Sequence, residues 1–198
     1  MVDLSKFKWI NESSVKESDG KISVYATPGS DFFCGGKGDE AFTPPTKINA
    51  PFYYTDVTGD FVLRVKVSHD FLYTYDSSSV LVMVNENNWA KICFEATDFD
   101  THAAVSVVTK DGVSDDANGC NIEGNVAWLQ IARAGNTFGF QYSVNGKDFY
   151  MMRFFKLNAE KTVKVGLLAQ SPLGKGGERY YEDFTIENIT VKNVRTGI

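Results

Sequence analysis

The feature that most constrains this chain is a series of strand-length segments in which apolar side chains recur at every second position. All odd positions are apolar in residues 61–68, and all even positions are apolar in residues 90–94. Such alternation places successive side chains on opposite faces of a β-strand. Further runs rich in β-branched or aromatic residues cover positions 21–27, 79–84, 103–110, 126–132, 137–143, 149–157, 163–170 and 180–191. We therefore predict a chain built almost entirely of strands.

Turn-forming dipeptides separate these segments. Asp19-Gly20, Asp111-Gly112 and Asn145-Gly146 each place Asn or Asp before Gly, a pair that accepts the positive φ of tight turns. The strands recur about every 10–12 residues, as in antiparallel sandwiches and barrels. No stretch keeps the period of about 3.6 residues that marks a helix. Since no linker or repeat is evident either, we predict one all-β domain over residues 1–198.

The composition fits a folded, acidic protein. Of the 198 residues, 43% are hydrophobic and 23% are charged, and the formal net charge is -5. A negative chain repels nucleic-acid phosphates and anionic headgroups, so we expect neither a nucleic-acid nor a membrane partner. No apolar run approaches the roughly 18 residues of a membrane-spanning helix. We expect a monomer or a weak dimer.

The N-terminus and the cysteines predict a cytoplasmic protein. The first six residues, MVDLSK, contain neither the apolar core nor the cleavage site of a signal peptide. The chain has an odd number of cysteines, and no two of them are close in sequence: Cys34, Cys93 and Cys120. They therefore form neither a disulfide framework nor a zinc-binding pattern, and we expect all three to be reduced and none to be catalytic.

Several motifs are shared with a known family. Residues 75–95 contain Tyr75-Asp76, an apolar run and the sequence NWAKICFE. Later matches are SVVT at 106–109, Ser114-Asp115, Arg133, Tyr142-Ser143, Asn145-Gly146, Arg153, Gly166 and Ser171-Pro172. Together, and most strongly over residues 60–172, these motifs resemble the regulation-of-enolase-like family of the concanavalin A-like lectin/glucanase superfamily. Phe33-Cys34 stands where members often have Trp, and Gln130 stands where Arg is common.

The resemblance implies a two-sheet antiparallel jelly-roll sandwich of the concanavalin A-like type. It implies no settled activity. Related domains accompany xylosidases and other carbohydrate-active enzymes, which suggests a glycan ligand by analogy only. The name of the family suggests a regulatory role instead.

The strand over residues 89–95 provides the main candidate site. Its alternate apolar positions suit the core, which leaves Trp89, Lys91 and Glu95 on the opposite face. A ring that stacks on a sugar, beside long polar side chains that bond its hydroxyls, would form a carbohydrate site. We expect Arg153 to pair with Glu95 and to lower its pKa. The predicted ligand-binding residues are Tyr75, Asp76, Trp89, Lys91, Glu95, Gln130 and Arg153, with the first two at the rim of the groove.

Two structural interpretations compete with this site. The face would be a solvated sheet surface with cross-strand charge pairs, and Asp76 would only cap a turn next to a packed Tyr75.

Residues 115–119, DDANG, carry oxygen ligands of the kind that calcium prefers. Asn125 stands where an EF-hand has its bidentate Glu, so we predict a polar surface loop at 115–119.

The chain lacks the residue patterns of a hydrolase. Glycoside hydrolysis uses two carboxyl groups about 5–10 Å apart, and Glu95 has no evident partner in an E-x-D-x-x-E pattern. His69 and His102 belong to no metal-binding or triad pattern. We therefore expect no catalytic residue, no metal and no cofactor.

These observations favour a non-catalytic binding module with a groove on one sheet for a carbohydrate or sugar-like ligand. The alternative is a cytoplasmic protein–protein interaction or regulatory domain that affects carbohydrate metabolism. A flat apolar surface formed by Phe32-Phe33 and the loop at residues 44–54 would favour this alternative. A glycoside hydrolase-like enzyme is the second alternative.

Overall fold

The computed structural model describes residues 2–38 and 43–198. Met1, where the predicted domain begins, and residues 39–42 lie outside the described residues. A 3-10 turn at Leu4–Lys6 precedes the sheets. In chain order the strands are β1 (Lys8–Ile10), β2 (Val15–Ser18), β3 (Lys21–Ala26), β4 (Phe32–Phe33), β5 (Lys47–Ile48), β6 (Phe52–Thr58), β7 (Phe61–Ser68), β8 (Ser77–Asn85), β9 (Asn88–Ala96), β10 (His102–Lys110), β11 (Val113–Asn121), β12 (Val126–Ala134), β13 (Thr137–Ser143), β14 (Tyr150–Lys156), β15 (Thr162–Gln170) and β16 (Gly177–Glu187).

Most of these strands form two large antiparallel sheets. The first sheet has the order β1-β6-β15-β8-β9-β10-β11, and the second has the order β14-β13-β12-β7-β16-β3-β2. The two sheets pack face to face around a common core, so the chain is an all-β, two-sheet antiparallel jelly-roll sandwich, as predicted. Strands β4 and β5 pair with each other outside both sheets, and we call them the capping ribbon.

The alternating positions fill the space between the two sheets, as the sequence predicted. Their side chains pack into one apolar cluster to which both sheets contribute. Eight residues of the alternating and apolar runs are fully buried in this cluster: Leu63, Val65, Ile92, Phe94, Leu129, Ile131, Val165 and Leu167.

A second apolar cluster lies on the outer face of the first sheet. Trp89 and Leu81 point away from the core and pack with Phe32 of the capping ribbon. The rings of Phe32 and Trp89 meet edge to face, with centroids 5.4 Å apart. The ribbon therefore covers the part of this face that carries Trp89, and a cavity lies beside the ribbon where β9 carries Glu95.

Three segments differ from the expectations. Residues 114–119 are part of the edge strand β11 and not of a loop, because they pair with β10 on one side and expose polar side chains on the other. Residues 52–54 begin β6, which pairs with β1 and β15, and so do not form an apolar loop. The last strand ends at Glu187, and Val191 packs instead against Val62 and Ala132 of the second sheet.

Candidate functional site

The candidate site is a cavity of about 500 Å³ between the capping ribbon and the outer face of the first sheet. Cavities that bind small molecules in proteins commonly measure about 300–1,000 Å³. Strands β9, β10, β11 and β15, the ribbon and the turns that carry Tyr75, Asp98 and Pro172 contribute to its wall. The described lining includes Asp31, Phe33, Pro44, Pro45, Lys47, Tyr75, Lys91, Glu95, Asp98, Asp116, Asn118, Gln170, Pro172 and Leu173.

Lys91 and Gln170 form a fixed polar floor together with Asp31. Lys91 is only 3% exposed, and its Nζ donates to Gln170 Oε1 at 2.9 Å and to Asp31 Oδ1 at 3.4 Å. Gln170 Nε2 also donates to Asp31 Oδ1, at 2.6 Å. Burial alone would lower the pKa of Lys91, but the attraction of Asp31 and other nearby anionic groups outweighs it and raises that pKa. Lys91 is therefore a buried ammonium whose charge Asp31 offsets.

Glu95 is the most unusual group in the cavity. Its side chain points to the same face as Lys91 and is 9% exposed. Burial raises its pKa to about 8, Lys91 opposes this shift, and Asp31, Asp116 and Asp98 add to it. Among the described residues, none donates a hydrogen bond to Glu95 or forms an ion pair with it. The raised pKa of Glu95 favours the protonated carboxylic acid, which can donate a hydrogen bond into the cavity.

Tyr75 lies at the rim of the cavity in a constrained conformation. Its φ of 68° is in the left-handed region, which bulky residues rarely occupy. Its amide donates to Ala96 O at 2.6 Å, which holds the turn against the end of β9. Burial raises the pKa of Tyr75, and the carboxyl groups of Asp98, Glu95 and Asp116 raise it further. The phenol therefore lies among three carboxyl groups.

Asp76, predicted at the rim, lies behind the cavity instead. Its Oδ1 accepts from Ser171 Oγ at 2.7 Å and pairs with Arg179 Nη2 at 3.1 Å. Arg179 also donates to the backbone carbonyl of Gln170 through Nε and Nη2. Because Gln170 belongs to the polar floor, the Asp76–Arg179 pair supports the site and does not line it.

Trp89 points to the predicted face but has no exposed surface. The capping ribbon covers its ring, so this tryptophan offers no platform on which a ligand could stack. Among the described residues, the aromatic rings that line the cavity are those of Phe33 and Tyr75.

Gln130 and Arg153 do not line the cavity, and their strands β12 and β14 belong to the second sheet. Gln130 is buried and bonds to Arg64, Gln141 and the carbonyl of Gly197. Arg153 Nη2 pairs with Asp115 Oδ1 at 2.8 Å. The expected pairing of Arg153 with Glu95 is therefore wrong, and so is the expected lowering of the Glu95 pKa.

The structure adds cavity residues that the sequence analysis did not predict to bind the ligand. Asp31 precedes a two-residue strand, Asp98 lies in a turn, and Asp116 lies in an edge strand without apolar alternation. The sequence provides a reason to expect only Gln170 on this face. It ends the apolar run of β15 at an even-numbered position, and the side chains at these positions point away from the core.

Other features of the described residues offer weaker sites. A depression of about 1060 Å³ beside the turn at residues 85–88 is larger, but the charged side chains that line it belong to the exposed residues Lys37, Glu86 and Asp111. Residues 2–38 and 43–198 contain no group of three or more His, Cys, Asp or Glu side chains placed to hold a metal ion. Over the same ranges, no helix has the length and hydropathy needed to span a membrane.

Residues 9–189 match a family described as "Protein of unknown function (DUF1349)". No curated protein sequence matches the chain.

Three solved structures illustrate the fold. A functionally unknown protein from Saccharomyces cerevisiae superimposes with a TM-score of 0.82 at 21% identity, over 94% of this chain and 98% of that one. The GH43 BlXynB protein from Bacillus licheniformis gives 0.68 at 14% identity, over 95% of this chain but only 40% of that one. The carbohydrate binding module CBM66 from Bacillus subtilis gives 0.56 at 9% identity, over 92% and 95%. At these identities the likeness shows a shared β-sandwich fold.

Proposed function

Because the chain belongs to the DUF1349 family of proteins of unknown function, we propose a function from its cavity: a non-catalytic binding module for a carbohydrate or sugar-like ligand. The observation that carries this proposal is the buried polar floor. Lys91, Gln170 and Glu95 are at least nine-tenths buried, yet all three line an open cavity. Burying polar groups costs free energy, and a ligand that bonds to them would offset that cost.

The lining suits a polyhydroxylated ligand. The Gln170 amide offers both donors and acceptors, and protonated Glu95 offers a donor beside an acceptor. Phe33, Tyr75 and Pro172 supply the apolar surface against which the C–H face of a sugar ring would pack. A carbohydrate binding module among the structures of similar fold supports the proposal at the level of architecture only.

The test is a glycan array, followed by calorimetric titration of the protein with the neutral oligosaccharide that binds most tightly on the array. Lys91→Met and Gln170→Leu should each weaken binding at least about tenfold, since each removes a hydrogen-bonding group from the floor. Lys156→Met, a matched change at an exposed position of β14, should leave affinity unchanged. Equal loss in the control, or no binding by any oligosaccharide, would contradict the proposal. Reducing sugar released during the titration would favour the glycoside hydrolase-like alternative.

A second candidate function is a cytoplasmic regulatory domain that binds a protein, as a place in the regulation-of-enolase-like family would suggest. One observation favours it: Leu72, Phe99 and Leu173 are 66%, 74% and 68% exposed in turns, and Leu173 also lines the cavity. Exposed apolar groups of this kind occur at protein interfaces. In a pull-down from lysate, Phe99→Ser with Leu173→Ser should then lose a partner that Lys91→Met retains.

A further inference from the structure

We propose that the end of the cavity around Tyr75 binds an ammonium group, so that the preferred ligand is an amino sugar. This inference rests on the proposed carbohydrate-binding function and narrows its ligand class. It starts from Glu95, which is nine-tenths buried, lines the cavity and has no hydrogen-bond or ion-pair partner among the described residues. Glu95 therefore has no ion-pair partner of its own, and the cationic group of a ligand could provide one.

Two further carboxyl groups face the same space. Asp98 and Asp116 line the cavity with Glu95, and all three influence the Tyr75 phenol, whose pKa is raised first by burial and then by Asp98, Glu95 and Asp116. Carboxylates around an aromatic ring form a favourable environment for an ammonium ion, which gains both ion pairing and attraction to the π-face.

The cations that line the cavity are already engaged. Lys91 is held by Asp31 and Gln170. Lys47 Nζ donates to the carbonyl of Gly29 at 3.2 Å. Within the described lining, Glu95, Asp98 and Asp116 are therefore left without a matching positive charge.

The protonation of Glu95 agrees with this charge imbalance. Its pKa is raised by burial and by the surrounding carboxylates, with Lys91 as the one opposing charge. An ammonium bound beside Glu95 would supply a second opposing charge and favour the carboxylate form. A neutral sugar would leave Glu95 protonated and would gain only neutral hydrogen bonds from that group, which are weaker than charge-assisted ones.

The test compares two trisaccharides of the same backbone at pH 6.5: the β-1,4-linked glucosamine trimer and cellotriose, which carries hydroxyls in place of the ammonium groups. The wild-type protein should bind the glucosamine trimer at least about tenfold more tightly. Glu95→Gln and Asp116→Asn should each reduce this preference several-fold, and Asp116→Asn should leave the affinity for cellotriose within about twofold. Glu160→Gln, which removes an exposed carboxylate outside the cavity, should leave the preference unchanged.

The outcomes separate this inference from the function on which it rests. Equal affinity for the two trisaccharides, or a preference that Glu160→Gln reduces as much as Glu95→Gln does, would overturn the ammonium site while the binding module stands. If neither trisaccharide and no neutral oligosaccharide binds, the ammonium site and the proposed carbohydrate-binding function are both overturned. Thermal unfolding shows whether each variant is folded. If Glu95→Gln does not fold, Asp116→Asn still tests the ammonium site, because Asp116 is exposed.

Discussion

Asp76 and Arg179 form an ion pair in which Oδ1 and Nη2 are 3.1 Å apart and the side chains are 1% and 3% exposed. The pair joins the turn before β8 to the start of β16. Arg179 also donates to the carbonyl of Gln170, so the pair fixes the end of β15 from which the Gln170 amide enters the cavity. The cavity floor thus depends on a buried salt bridge that links the first sheet to the second.

Removing one member of this pair should destabilise the protein strongly. Asp76→Ala leaves the Arg179 guanidinium buried without its counter-charge, and we expect a loss of about 3–5 kcal/mol in the free energy of unfolding. Urea unfolding monitored by fluorescence measures it. Asp56→Ala provides the control, because its pairing with Lys8 is exposed and should contribute less than about 1 kcal/mol. Similar losses in both variants would contradict a special role for the buried pair.

Glu95 should make the protein less stable as the pH rises. Its folded-state pKa of about 8 lies above the ordinary value of 4.5, so the folded protein holds more protons than the unfolded chain between these values. Stability from this group is therefore full below about pH 4.5 and is lost as the pH rises toward 8, by on the order of a few kcal/mol.

Glu95→Gln should remove this contribution, because glutamine stays neutral at every pH. The variant should gain stability relative to the wild type as the pH increases from 5 to 8, as measured by urea unfolding at each pH. Glu160→Gln should follow the wild-type curve, since Glu160 is exposed. If the difference in the free energy of unfolding between Glu95→Gln and wild type is the same at every pH, the pKa of Glu95 is not raised.

Phe94 should be essential to the core. Its ring is fully buried between the sheets, so Phe94→Ala leaves a cavity and should cost about 3–5 kcal/mol. Chemical unfolding measures the loss. Phe99→Ala is the matched control, because that ring is 74% exposed and should contribute less than about 0.5 kcal/mol.

The three cysteines should differ sharply in reactivity. Cys34 and Cys93 are buried and Cys120 is exposed, and burial raises the pKa of Cys93 to about 12. An aromatic disulfide reagent should therefore titrate one thiol in the native protein and three after unfolding, and Cys120→Ser should abolish the native signal. Reductant should leave the Tm unchanged. A fall of several degrees on reduction would instead reveal a disulfide.

The sequence by itself determined the strands and the faces of their side chains. Phe61–Ser68 and Thr137–Ser143 begin and end where the alternation predicts, and Ile92 and Phe94 enter the core while Lys91 and Glu95 face away from it. This succeeds because a period of two is a local property of an extended backbone, and because burial of one face fixes the register.

Only the tertiary structure decided which outward-facing residues meet. The sequence analysis grouped Gln130 and Arg153 with Glu95, but the strand order assigns β12 and β14 to the second sheet, and Arg153 reaches across to pair with Asp115 of β11 instead. The burial of Trp89 depends on Phe32, which comes from a ribbon 57 positions earlier in the chain. The raised pKa of Glu95 depends first on burial and then on Asp31, Asp116 and Asp98, which converge through folding. Desolvation and charge act through space, so no local pattern in the sequence determines them.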